Sequence, residues 1–143
     1  MESILYKTES SEIINCCYEV FNHLGPGFLE SVYKDALMEE FKIRKIPFER
    51  EKQFIVKYKN QLLRHYYYAD FVVWDKIILE LKTVSAINDQ LLAQGINYLK
   101  VSGNQLALIV NFGENPIKIK RVVLTKNYGE TTLFQEVCKQ KVK

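Results

Sequence analysis

The chain has 143 residues, 48% of them hydrophobic and 26% charged, a balance that fits one compact globular domain, and it contains no low-complexity tract. Its net charge of +3, from 20 basic and 17 acidic residues, permits nucleic-acid binding without arguing for it. Three cysteines, Cys16, Cys17 and Cys138, make no disulfide framework and have no zinc-type spacing.

A helix is expected from Ser11 to Leu24, because Ile13, Cys17, Val20 and Leu24 recur at helical spacing and Ile14 and Phe21 widen the stripe. Thr8, Ser10 and Ser11 offer N-caps. Gly25-Pro26-Gly27 breaks the chain, and a second helix follows from Leu29 to Arg44. Tyr33, Leu37 and Phe41 lie along one side of it, and Glu30 starts that stripe one turn earlier. After Pro47 the pattern turns to alternation, giving a strand from Phe48 to Tyr58, a turn at Lys59-Asn60-Gln61 and a Tyr- and Val-rich strand from Leu62 to Val73. Trp74-Asp75-Lys76 then turns into a strand from Ile77 to Lys82, completing an antiparallel meander. Asn88 or Asp89 caps a third helix that runs to Val101 and closes at Ser102-Gly103. Leu106 to Asn111 suits a sheet interior, and Ile117 to Leu124 an edge strand. The last ~15 residues are expected to pack loosely or fray. The order ααβββαββ describes a single α/β domain over residues 1–143, with its core at about 10–124 and one central mixed sheet.

Within Ile77-Ile78-Leu79-Glu80-Leu81-Lys82, side chains alternate, so Glu80 and Lys82 share one face while Leu79 and Leu81 take the other. Taken alone, such a pair reads as an ordinary ion pair on an exposed face. Asp70 changes the reading. With a three-residue loop at Trp74–Lys76, Asp70 lies opposite Glu80, at a cross-strand Cβ separation of ~5 Å. Two carboxylates that close repel unless a cation lies between them. Hard divalent ions such as Mg²⁺ prefer such oxygens. Lys82, one pleat away, can orient an attacking water or stabilise negative charge on phosphate. The inference depends on register, since a one-residue slip sends one carboxylate to the other face.

Asp70 followed by Glu80-x-Lys82 on the next strand resembles the catalytic core of the PD-(D/E)xK nuclease superfamily. Gly27-Phe28-Leu29-Glu30-Ser31-Val32-Tyr33 is similar to the signature of the GxxExxY family, and the likeness continues through Ala69-Asp70, Gln94 to Tyr98-Leu99-Lys100 and Asn111-Phe112-Gly113. The resemblance implies a restriction-endonuclease-like fold, with a central mixed sheet flanked by helices. It implies Asp70 and Glu80 as metal ligands, joined by the backbone carbonyl of Leu81, Glu30 as a further carboxylate acting as a metal ligand or a base, and Lys82 as the catalytic lysine. Gln94 and Tyr98 would place polar groups beside the scissile phosphate. Many relatives carry an Arg shortly before the strand aspartate. Tyr66-Tyr67-Tyr68 fills that stretch here, so an Arg–phosphate or Arg–carboxylate contact is either missing or supplied by Arg64, and Ala69 stands at the motif's proline.

The leading expectation is a metal-dependent nuclease using Mg²⁺, with Mn²⁺ able to substitute, on a nucleic acid, DNA before RNA. The alternative is a non-catalytic nucleic-acid-binding or oligomerising module that keeps the nuclease fold, with Tyr66, Tyr67 and Tyr68 as a homodimer face. With no recognition domain, specificity would come from loops, a dimer or a protein partner. Lys118 to Arg121, with Lys126, Lys139, Lys141 and Lys143 beyond, reads as a solvated surface or as a phosphate-contacting face. His23 and His65 sit in no ligand-like cluster and are read as structural. No apolar run approaches the ~18 residues of a membrane span. Met1-Glu2-Ser3 lacks the features of a signal peptide. Reduced thiols in the cytoplasm are expected.

Overall fold

The computed structural model describes residues 4–124. Two helices, α1 (Lys7–Leu24) and α2 (Glu30–Ile43), precede the strands β1 (Phe48–Tyr58), β2 (Gln61–Val73) and β3 (Ile77–Lys82). Helix α3 (Asp89–Ser102) then leads to β4 (Leu106–Asn111) and β5 (Lys118–Val123). The five strands form one sheet in sequence order. β3 and β4 are parallel, as their connection through α3 allows, and every other neighbouring pair is antiparallel.

Alternation on the central strands divides the core in two. Ile77, Leu79 and Leu81 of β3, with Leu106, Leu108 and Val110 of β4, pack with Ile13, Cys17, Tyr33, Leu37 and Phe41 of α1 and α2. Ile78, Ala107 and Ile109 point the other way, onto Leu92, Ile96 and Leu99 of α3. A strand covered on both faces has no polar side to show, which is why β4 is an unbroken apolar run up to Asn111.

Differences from the expected boundaries have local causes. Helix α1 begins at Lys7 rather than Ser11 because Arg121 on β5 reaches back to it. Its guanidinium donates to Ser10 Oγ at 2.8 Å and to the Leu5 carbonyl at 2.5 Å. Ser10 is therefore buried inside the first turns, and the position before the helix is Tyr6, with φ 52° and no side-chain cap. The same contacts turn Arg121 inward, so it is not part of a phosphate-contacting face. Asn88 does cap α3, accepting from the Leu91 N–H at 2.9 Å. The first hairpin turn is two residues, not three. Lys59 and Asn60 both take positive φ (46° and 67°), the tight-hairpin geometry, and Gln61 belongs to β2. Lys126, Cys138, Lys139, Lys141, Lys143 and the expected loose end lie outside the described residues.

β2 pairs with β3 only through Phe71, Val72 and Val73, against Leu79, Ile78 and Ile77. Before Phe71 it pairs, among the described residues, with β1 alone. The sheet therefore forks at the Asp70–Glu80 position.

Two glycines mark close approaches of opposite character. A Cβ on Gly113 would lie 2.2 Å from the Val84 carbonyl oxygen, which is fixed backbone. A Cβ on Gly95 would lie 3.1 Å from the Ile109 Cδ1, the movable end of a side chain. Gly113→Ala is expected to lower stability by about 2–3 kcal/mol. Gly95→Ala should stay within about 1 kcal/mol of wild type, because the helix propensity of alanine offsets a small shift of Ile109. Urea titration of both variants checks this; equal losses would contradict it.

Candidate active site

At the fork, two carboxylates take over from the backbone ladder. The register Phe71–Leu79, carried one step further, sets Asp70 opposite Glu80. There the Asp70 N–H donates to Glu80 Oε2 at 2.8 Å, and the Leu81 N–H donates to Asp70 Oδ2 at 2.8 Å. Each side chain thus satisfies a backbone donor on the other's strand. Both carboxylates are buried, with Asp70 7% and Glu80 4% exposed, so neither can choose another orientation by turning to water. Alternation along β2 breaks at this point. Ala69 joins the core beneath α3, and Phe71 joins the core beneath α1 and α2. On β1, Glu51 falls between the partners of Ala69 and Phe71 and takes a positive φ of 55°. The kink is shared by both strands of the hairpin.

The third member comes from α2 and is not among the residues the sequence singles out. Lys34 lies one turn beyond Glu30, and its Nζ sits 3.0 Å from Glu30 Oε2 and 2.8 Å from Asp70 Oδ1. Glu30 and Asp70 therefore meet through an ammonium group. Among the described residues, no three His, Cys, Asp or Glu side chains gather as they stand into a group that could hold an ion. The sequence signal for Lys34 was available: a Glu followed by a Lys at i+4 pairs on a helix surface. Nothing in that spacing says that the pair faces a strand carboxylate.

The electrostatics follow from burial. Glu80 is pushed up from 4.5 to about 8, first by removal from water and then by the Asp70 charge. The Asp70 N–H and the Lys82 and Lys34 ammonium groups oppose that shift. Burial alone would lower the pKa of Lys34, but its hydrogen bonds to Asp70 and Glu30 outweigh burial and hold it above its usual value. The site is thus short of positive charge beside Glu80. Its carboxylate oxygens are hard donors, and an ammonium group already bridges Glu30 and Asp70. Those features fit a hard divalent cation.

Two fasteners keep the parts in place. Tyr33 on α2 donates its hydroxyl to the Gly25 carbonyl at 2.5 Å and accepts from the Phe28 N–H at 3.3 Å. It thereby ties down the loop in which Gly27 takes φ 101°, just before Glu30. The Tyr33 ring stacks on Phe112 at 4.6 Å. Next to Phe112, Asn111 clamps the chain that leaves β3. Its Oδ1 accepts from the Val84 N–H at 3.0 Å and the Gly113 N–H at 3.0 Å, and its Nδ2 donates to the Val84 carbonyl at 2.9 Å. The Phe112 N–H donates to the Lys82 carbonyl at 2.7 Å. The start of α2 and the end of β3 are thus held by adjacent residues of one segment.

The remaining sequence candidates divide. The Tyr98 hydroxyl donates to the Tyr68 carbonyl at 2.8 Å. Burial, and then the charges of Glu80 and Asp70, raise its pKa, so it lies within the field of the carboxylates. Gln94, one turn earlier, is exposed. Lys82 is half-buried at the end of β3. Arg64 is exposed and six residues before Asp70, roughly 20 Å along the strand at ~3.3 Å per residue. At that distance it makes no contact with Asp70, where Lys34 supplies the cation. His23 is exposed and pairs with Glu19, and His65 packs on the Tyr67 ring. Cys16 and Cys17 are buried free thiols, and burial pushes Cys16 up to about 11.

The family profile described as the PD-(D/E)XK nuclease superfamily matches residues 7–122, which includes every residue of this site. The chain belongs to that superfamily. Among solved structures, the crystal structure of SSO0001 is similar in fold to this nuclease-superfamily chain. It has a TM-score of 0.57 and 15% identity, over 95% of this chain and 67% of that one. No curated protein matches the chain. Among the described residues, no helix is long and apolar enough to cross a membrane.

The raised Glu80 pKa carries a stability consequence. Between 4.5 and about 8 the folded chain keeps a proton that the unfolded chain has lost. This group's contribution to stability is therefore full at low pH and declines as pH rises through the folded value. Urea unfolding in chelator at about pH 5 and about pH 8 should show wild type losing more stability on the upward step than Glu80→Gln. Equal changes in the two proteins would contradict the assignment.

Proposed function

We propose that this chain is a divalent-metal-dependent nuclease of the GxxExxY type, acting on DNA, with Asp70, Glu80 and Lys82 at its centre. The observation that carries the reading is the buried Asp70–Glu80 pair, held rigid by backbone N–H groups with Lys82 two residues further on. Such an arrangement is unfavourable without a cation and suits hydrolysis with one.

Asp70 and Glu80 would hold Mg²⁺, or Mn²⁺ in its place, with the Leu81 carbonyl as a further ligand and Glu30 joining once Lys34 releases it. The ion would supply charge neutralisation at the phosphoryl oxygens and a more acidic water. In hydrolysis, a water oxygen bonds to phosphorus, one phosphate ester bond breaks, and the departing oxygen takes up a proton. Lys82 stabilises the negative charge that develops on the phosphate and orients the water. Tyr98 is a positioning residue: its bond to the Tyr68 carbonyl holds β2 against α3 beside the carboxylates. Gln94, exposed on the same helix face, contacts the phosphate backbone. The buried thiols suit a reducing, cytoplasmic setting.

Lys82→Ala, Asp70→Asn and Glu80→Gln are each expected to slow cleavage by about a hundredfold or more. Labelled single- and double-stranded DNA and RNA, incubated with Mg²⁺ or Mn²⁺ and resolved on gels, provide the readout. Chelator should abolish the wild-type activity. Wild type no faster than the variants on every substrate would sink the proposal.

A further inference from the structure

Beyond the fork, β1 and β2 continue as a two-stranded arm. Among the described residues, residues 61–69 of β2 pair only with β1, a reach of roughly 26 Å at ~3.3 Å per residue. A bare two-stranded hairpin is marginal in water and exposes open edges. The arm's two faces differ sharply. On one, Phe54 and Tyr67 pack on the α3 side, with Tyr67 edge-on to Tyr98 at 5.7 Å. The register places Ile55 opposite Tyr66 and Lys57 opposite Leu62 on the other face, along with Arg64 and Tyr68, and all six are exposed. Tyr66 is 48% and Tyr68 49% exposed, although large aromatic side chains are normally covered.

Charge points to the occupant. Between Glu51 and Asp70 the chain carries Lys52, Lys57, Lys59 and Arg64 and no acidic residue. Lys52 pairs with Glu49 and Asp75 outside that stretch, and the arm holds no carboxylate for the other three. The row Arg64, Tyr66, Tyr68 alternates along β2 and ends at Asp70. A cationic, aromatic ribbon that leads to a site for phosphate chemistry is complementary to a nucleic-acid strand.

Spacing then selects the form of that strand. Tyr66 and Tyr68 are two strand residues apart, about 6.6 Å. Stacked bases in a duplex lie ~3.4 Å apart along a strand, so two rings at this spacing cannot take neighbouring bases of an intact duplex. They can take splayed bases of an extended single strand. The face also lacks the Asn, Gln and Glu side chains that, beside arginine, read base edges in a major groove, apart from Gln53, whose amide is bonded to the Tyr68 hydroxyl at 3.1 Å.

We propose that the exposed face of the β1–β2 arm is a binding platform for single-stranded nucleic acid. Tyr66 and Tyr68 stack on bases, Lys57 and Arg64 pair with phosphates, and the strand is delivered toward Asp70. The delivery step rests on the nuclease reading; the binding platform does not.

The test is fluorescence anisotropy of the full chain with a labelled single-stranded oligonucleotide and its duplex, in chelator so that no cleavage intrudes. Wild type should prefer the single strand. Tyr66→Ala/Tyr68→Ala should weaken single-strand binding by about thirtyfold, from two lost stacks, and Tyr66→Phe/Tyr68→Phe should restore it. Lys57→Gln/Arg64→Gln should reduce the slope of log affinity against log salt by about 1.4. Superimposable circular dichroism melts establish that the variants fold. Three results would overturn the proposal: tighter binding of duplex, a Tyr66→Ala/Tyr68→Ala protein that binds like wild type, or no binding at all. A wild-type dimer made monomeric by the alanine pair with oligonucleotide binding unchanged would instead assign the face to a second copy of the chain. Cleavage assays separate the two claims. Variant-sensitive binding without any cleavage defeats the nuclease reading and leaves the platform, whereas cleavage with variant-insensitive binding defeats the platform alone.

Discussion

Where β2 parts from β3, the sheet would leave two backbone N–H groups without ladder partners, and the side chains of Asp70 and Glu80 answer each other's. That exchange has three consequences. It closes the fork with side-chain hydrogen bonds, it fixes both carboxylates in one orientation, and it buries two acidic groups side by side. The first two favour the fold. The third opposes it, as the raised Glu80 pKa registers. A buried charge pair of this kind persists when a cation balances it. Lys34 provides part of that balance at Asp70 and leaves Glu80 with less.

The surrounding architecture reads as support for this point. Tyr33 and Phe112 stack across from helix to loop, and Asn111 grips the Val84 backbone on both its donor and its acceptor. Through these contacts the helix bearing Glu30 and Lys34 and the strand bearing Glu80 and Lys82 share one anchor. The Gly-x-x-Glu-x-x-Tyr and Asn-Phe-Gly segments, distant in sequence, are two halves of one joint. Gly113 is part of it, because only a residue without Cβ lets the chain pass the Val84 carbonyl. The members of the site that lie on separate elements thus keep a common frame, as a preorganised electrostatic site requires.

Much of this was legible in the chain. Helical stripes, the apolar central strands and the meander followed from periodicity, and the opposition of Asp70 to Glu80 followed from one loop length. What escaped has a shared physical character: it depends on which elements become neighbours. Lys34 looks like half of a surface helix pair until α2 is laid over β2. Asn111 is a polar residue closing an apolar strand until the parallel pairing of β3 and β4 brings Val84 beside it. Arg121 sits in a basic run until β5 brings it under the first turn of α1, where it extends that helix past its apparent caps. The break in alternation at Asp70 is invisible for the same reason, since strict period-two reading assumes a regular ladder. The likeness to the superfamily's catalytic core is carried by residues that can be read without such neighbours: the strand aspartate and the Glu-x-Lys that follows.

The central claim is that the Asp70–Glu80 pair is built for a divalent cation, with Lys34 standing in its absence. Anomalous diffraction from crystals soaked in Mn²⁺ tests this directly. The account predicts one strong peak within bonding distance of Asp70 and Glu80 oxygens, with the Lys34 ammonium moved away from Asp70. Lys34 still bridging Glu30 and Asp70, with no peak between the two strand carboxylates, would contradict it.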